Sequence, residues 1–214
     1  MDEKKFDEWA SSYDDDIKKR KGYPFEGYFD VHDYIHDLVE ICNGHTRILD
    51  VGVGTGELLK PLYDKGAIIC GFDFSRKMID IARTKMPRGN FEIFNFKFGV
   101  PKRFTVMKFD YILSSYALHH ISNKEKIHLV SLLIRLLAPN GKIIIADVAF
   151  QNEQDFKDCR GKYLGLWDND EVYLVADEFI NTLKNHEAIV NYQQISECAG
   201  VFIIEKTGAK RTGC

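Results

Sequence analysis

Mainly apolar runs and segments of helical periodicity alternate along most of the chain. Runs of strand length occur at 48–51, 67–72, 91–94, 110–116, 142–147 and 201–204. Amphipathic patterns of helical spacing fall between them, at 31–42, from Ser75 onward and at 127–137. Strands that alternate with helices predict an α/β fold, with a mostly parallel sheet, helices on both of its faces and right-handed crossovers.

Three further predictions concern local structure. Residues 57–64 are expected to form a helix that bends at Pro61, because proline lacks the N–H that an interior helical position donates. Residues 195–199 are expected to end a helix that Gly200 caps. The residues after 201–204 are few and polar, so no further strand is expected there.

A glycine-rich stretch follows the first predicted strand and begins a helical segment. It reads Asp-Val-Gly-Val-Gly-Thr-Gly-Glu from Asp50, with glycines at 52, 54 and 56. Glycine adopts positive φ and carries no Cβ, so a ligand can lie directly on this backbone at the electropositive start of a helix. An ordinary tight turn needs one or two glycines. Three glycines behind a strand that ends in an acid therefore favour a ligand-binding loop.

The stretch resembles the first motif of class I S-adenosylmethionine (SAM)-dependent methyltransferases. Asp50, Gly52, Gly54 and Gly56 match its Asp-x-Gly-x-Gly-x-Gly pattern without departure, and the resemblance extends over most of the chain. It implies a Rossmann-like three-layer α/β sandwich, SAM as the cofactor and transfer of a methyl group to a small-molecule acceptor. The family normally adds a seventh, antiparallel strand, which this sequence does not convincingly supply.

The dinucleotide-binding fingerprint Gly-x-Gly-x-x-Gly is the main rival interpretation of the loop. Its third glycine would fall at Glu57, where a carboxylate would repel a pyrophosphate but would suit the ammonium group of SAM. Asp73 ends the second strand and suits two ribose hydroxyls in either cofactor, or alternatively caps a helix. A nicotinamide-dependent oxidoreductase and a non-catalytic SAM-binding module therefore remain alternative functions.

The resemblance also implies which residues contact the cofactor. The proposed cofactor-binding residues are Asp50, Gly52, Gly54, Gly56, Asp73, Phe74, Met78, Asn95, Phe96 and Ser114. Asn95 stands where the family usually has an aspartate that binds the adenine amino group, and its amide oxygen can accept the same bond.

Tyr13 and His119 are the two residues predicted to be catalytic. Tyr13 lies in a segment that looks like the N-terminal cap of many small-molecule methyltransferases, so residues 1–30 are expected to close over the pocket. His119 belongs to a Leu-His-His after the fourth strand, which small-molecule class I members often carry there. Packing is the alternative role for both residues. The Pro-Pro-Tyr motif of enzymes that methylate nucleobase amino groups is absent.

Composition and charge narrow the expected partners and location. Residues 150–190 are acidic and aromatic, and are expected to form a substrate lid within a single domain of 1–214. The formal net charge of −3 does not favour nucleic acid, and no apolar run is long enough to span a membrane. Five scattered cysteines without a Cys-x-x-Cys pair suit the cytoplasm. His32 and His36 stand one helical turn apart, but no third ligand suggests itself, so no metal is expected.

Overall fold

The computed structural model describes residues 3–20, 22–42, 44–184 and 186–208. Its strands are β1 (Arg47–Val51), β2 (Ile68–Asp73), β3 (Asn90–Ile93), β4 (Phe109–Ser115), β5 (Leu137–Phe150), β6 (Leu174–Val175), β7 (Ala188–Gln194) and β8 (Ala199–Lys206). The order across the sheet is β3-β2-β1-β4-β5-β8-β7, and β6 pairs with the end of β5. Strands β1 to β5 pair in parallel, which confirms the predicted α/β class.

Helices cover both faces of the sheet. They are α1 (Glu3–Trp9), α2 (Tyr13–Lys19), α3 (Tyr28–Leu38), α4 (Lys60–Asp64), α5 (Arg76–Lys85), α6 (Asn123–Ile134), α7 (Glu153–Lys162) and α8 (Ala176–Leu183). Successive residues of a strand point to opposite faces. Leu113 and Ile144 accordingly join the apolar cluster that includes α3, α4 and α5. Ile112 and Ile143 join the cluster that includes α6 and α8, which completes the predicted three-layer sandwich.

The carboxyl ends of the parallel strands meet at one edge of the sheet. This edge gathers Asp50 of β1, Asp73 of β2, Ser115 of β4 and Asp147 of β5. In open α/β sheets this is the edge at which ligands bind. None of the helices within the described ranges combines the length and apolar character that a bilayer span requires.

The end of the chain differs from the prediction. Residues 201–204 lie in β8, which runs antiparallel to β5, and residues 195–198 form no helix. The strand β7 was missed. It pairs antiparallel with β8, and its exposure alternates residue by residue, as expected for a strand with one covered face. Gly200 caps nothing: a Cβ there would lie 2.2 Å from the hydroxyl oxygen of Tyr192, so glycine lets that ring cross the neighbouring strand.

The helix predicted around Pro61 is shorter than expected, and the substrate lid predicted at 150–190 stays a prediction. Helix α4 begins at Lys60, so Pro61 falls in its first turn, where the helix does not require an N–H donor. The range 150–190, expected to form a lid, contains α8 and the start of β7, which belong to the sheet and its helical layer. Only the excursion 151–173, which includes α7, departs from the alternation of strands and helices.

Candidate functional site

The glycine loop lies at the carboxyl end of β1, and its three glycines have different roles. Gly52, Gly54 and Gly56 all adopt positive φ, of 80°, 52° and 81°. A Cβ would lie 2.5 Å from the Cβ of Ala117 at the first position and 2.4 Å from the Cε of Met86 at the third. A Cβ at Gly54 would meet nothing within 4 Å. Packing therefore requires the outer two glycines, whereas the central one leaves an open backbone surface for a ligand.

Asp73 fixes the loop from the end of β2. The Gly54 N–H donates to its Oδ2 and the Ser75 N–H donates to its Oδ1, both at 2.9 Å. Burial raises the pKa of this carboxyl to about 6, against the opposing effect of the backbone N–H groups. Each carboxylate oxygen keeps a lone pair beyond these bonds, so Asp73 can still accept from a ligand hydroxyl.

Asp50 is the most unusual group at this edge. Its side chain is buried, and its Oδ1 atom has no hydrogen-bond partner among the described residues. Burial, followed by repulsion from Asp73, raises the pKa of its carboxyl to about 8. A buried carboxylate without a partner is unfavourable unless a ligand satisfies it. The carboxylates and the open loop together fit a ligand that carries a cationic group and hydroxyls, as SAM does.

The residues predicted to hold adenine and the sulfonium region lie around the same edge. Asn95 accepts from the Lys97 N–H at 2.9 Å and begins a short 3-10 helix, in which Phe96 is buried. The Ser114 hydroxyl donates to the carbonyl oxygen of Val51 at 2.8 Å. These polar groups therefore also hold the local fold, and their contact with a cofactor stays a prediction.

Phe74 and Met78 flank the start of α5. Phe74 is buried and meets the ring of Phe6 edge to face, with centroids 5.1 Å apart. Met78 is buried too, and its N–H donates to the Ser75 hydroxyl, which caps the helix. Phe74 thus lies where helix α1 packs against the start of α5, beside the carboxyl ends of the strands.

Helices α1 and α2 dock on the glycine loop and on α5 through two aspartates. Asp7 accepts from the hydroxyl of Ser75 at 2.5 Å. Asp14 accepts from the Thr55 hydroxyl at 2.5 Å and from the ammonium of Lys85 at 2.6 Å. These contacts hold α1 and α2 against the glycine loop and α5, and the closure of a cap over the pocket stays a prediction.

The charge of Glu57 is not free to act on a ligand. Its carboxylate pairs with the ammonium of Lys85 at 3.0 Å and with that of Lys18 at 3.8 Å. The repulsion invoked against a pyrophosphate is therefore partly neutralised, and the choice between the two cofactors must rest on other observations.

Tyr13 begins α2 and joins a group of tyrosines at the site. Its ring meets Trp9 with centroids 4.6 Å apart, and burial raises the pKa of its hydroxyl to about 12 against the effect of a hydrogen bond with Tyr28. Tyr28 packs on Tyr116, with ring centroids 4.9 Å apart. Tyr116 has a φ of 48°, which is strained for a bulky residue, and its buried hydroxyl has no partner in the described part of the chain.

His119 lies in a short 3-10 helix after β4 and is held by Asp147. The Nδ1 atom of its ring is 2.5 Å from Oδ1 of Asp147, and its backbone N–H donates to Oδ2 at 3.1 Å. Burial opposes protonation of the ring, but the carboxylates of Asp147 and Glu171 outweigh it and raise the pKa of His119 above its usual value. Burial and then the neighbouring His119 lower the pKa of His120 to about 3.

Three site residues were missed from the sequence: Tyr116, Asp147 and Glu171. Asp147 closes the fifth apolar run, and its place at a strand end was a usable signal. Glu171 lies in the irregular excursion, from which no position could be inferred. His32 and His36 do not meet a third ligand within the described residues. Their Nε2 atoms contact the Ser115 hydroxyl and the Leu58 carbonyl instead.

Comparison with known proteins identifies the family. A family model described as a methyltransferase domain matches residues 25–185. An uncharacterised methyltransferase of Oceanobacillus iheyensis is 29% identical over 209 residues, which cover 94% of this chain and 95% of that protein. An uncharacterised methyltransferase of Bacillus licheniformis is 35% identical over 151 residues, which cover 71% of this chain and 69% of that protein.

Solved structures agree with the fold. One of them is the magnesium protoporphyrin IX methyltransferase of Synechocystis PCC 6803, which superposes with a TM-score of 0.66. That structure contains SAH, the demethylated product of SAM. The match covers 97% of this chain and all of that one at 17% identity, which supports the shared fold. Because the family model covers most of the chain and the Bacillus relative matches it closely, the chain belongs to the methyltransferase family, as the glycine loop predicted.

Proposed function

We propose that the protein transfers the methyl group of SAM to a small-molecule acceptor. The observation that carries this proposal is the Asp50 carboxyl group, buried with one unpartnered oxygen directly before a loop whose central glycine faces open space. A buried carboxylate is stabilised by a cation, and the methionine end of SAM carries an ammonium group. A nicotinamide cofactor brings phosphates to this position instead.

The remaining cofactor contacts follow from the strand ends. Asp73 has lone pairs left for the two ribose hydroxyls. Asn95 and Phe96 follow β3, beside Asp73, and are assigned to the adenine. Phe74, Met78 and Ser114 are assigned to the surroundings of the cofactor. All of these assignments predict contacts at the one edge of the sheet where ligands bind in open α/β folds.

The acceptor is assigned to the side of the site formed by Tyr13, Tyr116 and His119. SAM supplies a methyl carbon that is already activated on a sulfonium. The chain's own residues must therefore align the acceptor with that carbon and exclude water. Helices α1 and α2 cover this side, and Phe6 meets the ring of His120 at 5.4 Å. A covered, aromatic site and a net charge of −3 favour a small molecule over nucleic acid.

Titration calorimetry with SAM, SAH and NADH tests the cofactor assignment. We expect SAM and SAH to bind and NADH not to bind, and we expect Asp50→Asn to weaken the binding of SAM. Asp64→Asn is the matched control, because Asp64 is an exposed carboxylate paired with Lys60 on α4. Binding of NADH, or unchanged affinity for SAM in Asp50→Asn, would contradict the proposal.

Formation of SAH with a panel of oxygen, nitrogen and sulfur nucleophiles tests the methyl transfer itself. We expect at least one small acceptor to be methylated. Tight SAM binding without a product from any acceptor would instead favour the alternative, a non-catalytic SAM-binding module.

A further inference from the structure

His119, His120 and Glu171 bring three ligand atoms together beside the acceptor side of the site. The Oε1 atom of Glu171 is 3.4 Å from Nε2 of His119 and 3.9 Å from Nδ1 of His120. All three ligand atoms lie within 4.8 Å of one another, and no other group of three such residues occurs in the described ranges. Two ligand atoms that are each about 2.0–2.1 Å from a tetrahedral ion lie about 3.3 Å apart. Glu171 and His119 are already at this spacing, and His120 needs to move closer by about half an ångström or more to complete the set.

Residues behind two of these ligands fix their orientation. A carboxylate can only accept hydrogen bonds, so the Nδ1–H of His119 donates to Asp147 at 2.5 Å. In the neutral ring the proton is therefore on Nδ1, and Nε2, which lies near Glu171, keeps its lone pair for a metal ion. The Tyr173 hydroxyl donates to the other oxygen of Glu171, Oε2, at 2.7 Å. A carboxylate behind a ligating histidine and a hydrogen bond behind a ligating carboxylate are the usual supports of a metal site.

The charges around the cluster also suit a cation. Asp147 and Glu171 bring two negative charges, and the buried ammonium of Lys126 brings one positive charge. Its Nζ donates to the carbonyls of Ile121 and Val172, and not to either carboxylate. A divalent ion would therefore enter a cluster with a net negative charge when both histidines are neutral.

We propose that His119, His120 and Glu171 form a binding site for a divalent transition-metal ion of the Zn²⁺ or Fe²⁺ type. Two imidazoles and one carboxylate select such ions over Mg²⁺ and Ca²⁺, which prefer oxygen ligands. Three protein ligands leave at least one coordination position open, as in catalytic metal sites. The inference rests on the geometry of the three side chains and does not depend on methyl transfer. Within this site His119 is a metal ligand, and Asp147 and Tyr173 are positioning residues.

The test uses the full untagged chain after removal of metals with a chelator. Zn²⁺ and Mg²⁺ are titrated separately by calorimetry, and Co²⁺ is titrated by visible absorption. We expect one Zn²⁺ per chain, no comparable binding of Mg²⁺, and a Co²⁺ spectrum typical of nitrogen and oxygen ligands without a thiolate charge-transfer band. Tyr173→Phe removes the donor to Glu171 together with the hydroxyl–hydroxyl bond to Tyr23, and it should weaken Zn²⁺ binding about ten- to a hundredfold. Glu171→Gln and His120→Gln should weaken it further.

His36→Gln is the matched control. His36 stands beside His32, away from the proposed site, and its ring contacts the backbone carbonyl of Leu58, so this change should leave Zn²⁺ binding unchanged. SAM affinity is measured on every variant, so that loss of the metal and loss of cofactor binding are separated. The proposal is overturned if the wild-type chain binds no stoichiometric Zn²⁺. It is equally overturned if Glu171→Gln and His120→Gln bind Zn²⁺ like the wild type, or if His36→Gln loses binding to the same extent as they do.

Discussion

Asp50 should make the affinity for SAM depend on pH. Burial, with the repulsion of Asp73 added, raises the pKa of the Asp50 carboxyl to about 8, so the free protein carries it mostly protonated at neutral pH. In the proposed complex the ionised carboxylate binds the ammonium of SAM, so binding is expected to release the proton. Affinity for SAM is therefore expected to rise as the pH rises towards 8 and to fall as the pH is lowered.

The size of the effect follows from the same pKa. With a pKa of about 8, roughly 1% of the Asp50 carboxyl is ionised at pH 6 and roughly 9% at pH 7. The affinity should then increase about ninefold over this interval, which corresponds to about 1.3 kcal/mol. The pKa of Asp73 is about 6, so its ionisation adds less than about twofold over the same interval.

Calorimetry between pH 6 and 7, in two buffers of different ionisation enthalpy, measures both the affinity and the protons released. Staying below pH 7 keeps the amino group of SAM protonated. We expect close to one proton released per SAM, a loss of most of the pH slope in Asp50→Asn, and an unchanged slope in Asp64→Asn. An affinity of the wild type that is flat from pH 6 to 7, without proton release, would refute the reasoning.

The same pKa shift has a consequence for the stability of the protein without SAM. Between about pH 4 and 8 the folded chain holds a proton on Asp50 that the unfolded chain has lost, so the contribution of this group to the free energy of unfolding falls as the pH rises. Asp50→Asn should therefore raise the melting temperature at pH 8, and the gain should shrink towards pH 4. Melting curves at both pH values check this, and a loss of stability at pH 8 would contradict it.

Three further predictions follow from local geometry. Gly54→Ala should cost about 1 kcal/mol of stability, because residue 54 has a left-handed φ, and it should weaken SAM binding measured by calorimetry. Gly208→Ala is the control: Gly208 also has a positive φ and no close neighbours, so the change should cost a similar amount of stability and leave SAM binding unchanged. Asp14→Asn breaks the ion pair with Lys85 and should speed hydrogen exchange in α1 and α2, while SAM should slow exchange there in the wild type. Phe179→Ala should cost about 3–5 kcal/mol in denaturant unfolding, because the ring is buried and packs on the β8 strand; a loss below about 1 kcal/mol would place α8 outside the core.

The sequence predicted the sheet and the cofactor edge best where local patterns carry the information. The run that ends in Asp50 and the glycines behind it specify a strand, a turn and an open backbone within a few residues. The acid at Asp73 follows the same logic at the next strand. These features need no knowledge of distant contacts, and the structure has them where they were expected.

The acceptor side could not be predicted in the same way, because it is assembled from distant segments. Glu171 reaches His119 only because the excursion 151–173 folds back to the sheet, where the strand that follows it, β6, pairs with β5. Strand β7 was missed because only one of its faces is covered, which leaves a weak apolar signal. Gly200 imitated a helix cap, although its role is to make room for a tyrosine ring on the neighbouring strand.

The antiparallel position of β8 has a consequence for how the chain acquires its fold. Strand β5 contains the continuous apolar run Ile143, Ile144 and Ile145. The residues of β8 that pair with this run on the side of β5 away from β4 come about sixty residues later in the chain. Until β8 is in place, this edge offers unpaired N–H and C=O groups on an apolar strand, which is a template for intermolecular pairing. Pairings between such distant segments also slow folding. We therefore expect self-association during synthesis or refolding to occur mainly at this edge, and we expect substitutions that delay β8 to reduce the yield of protein before they affect its activity.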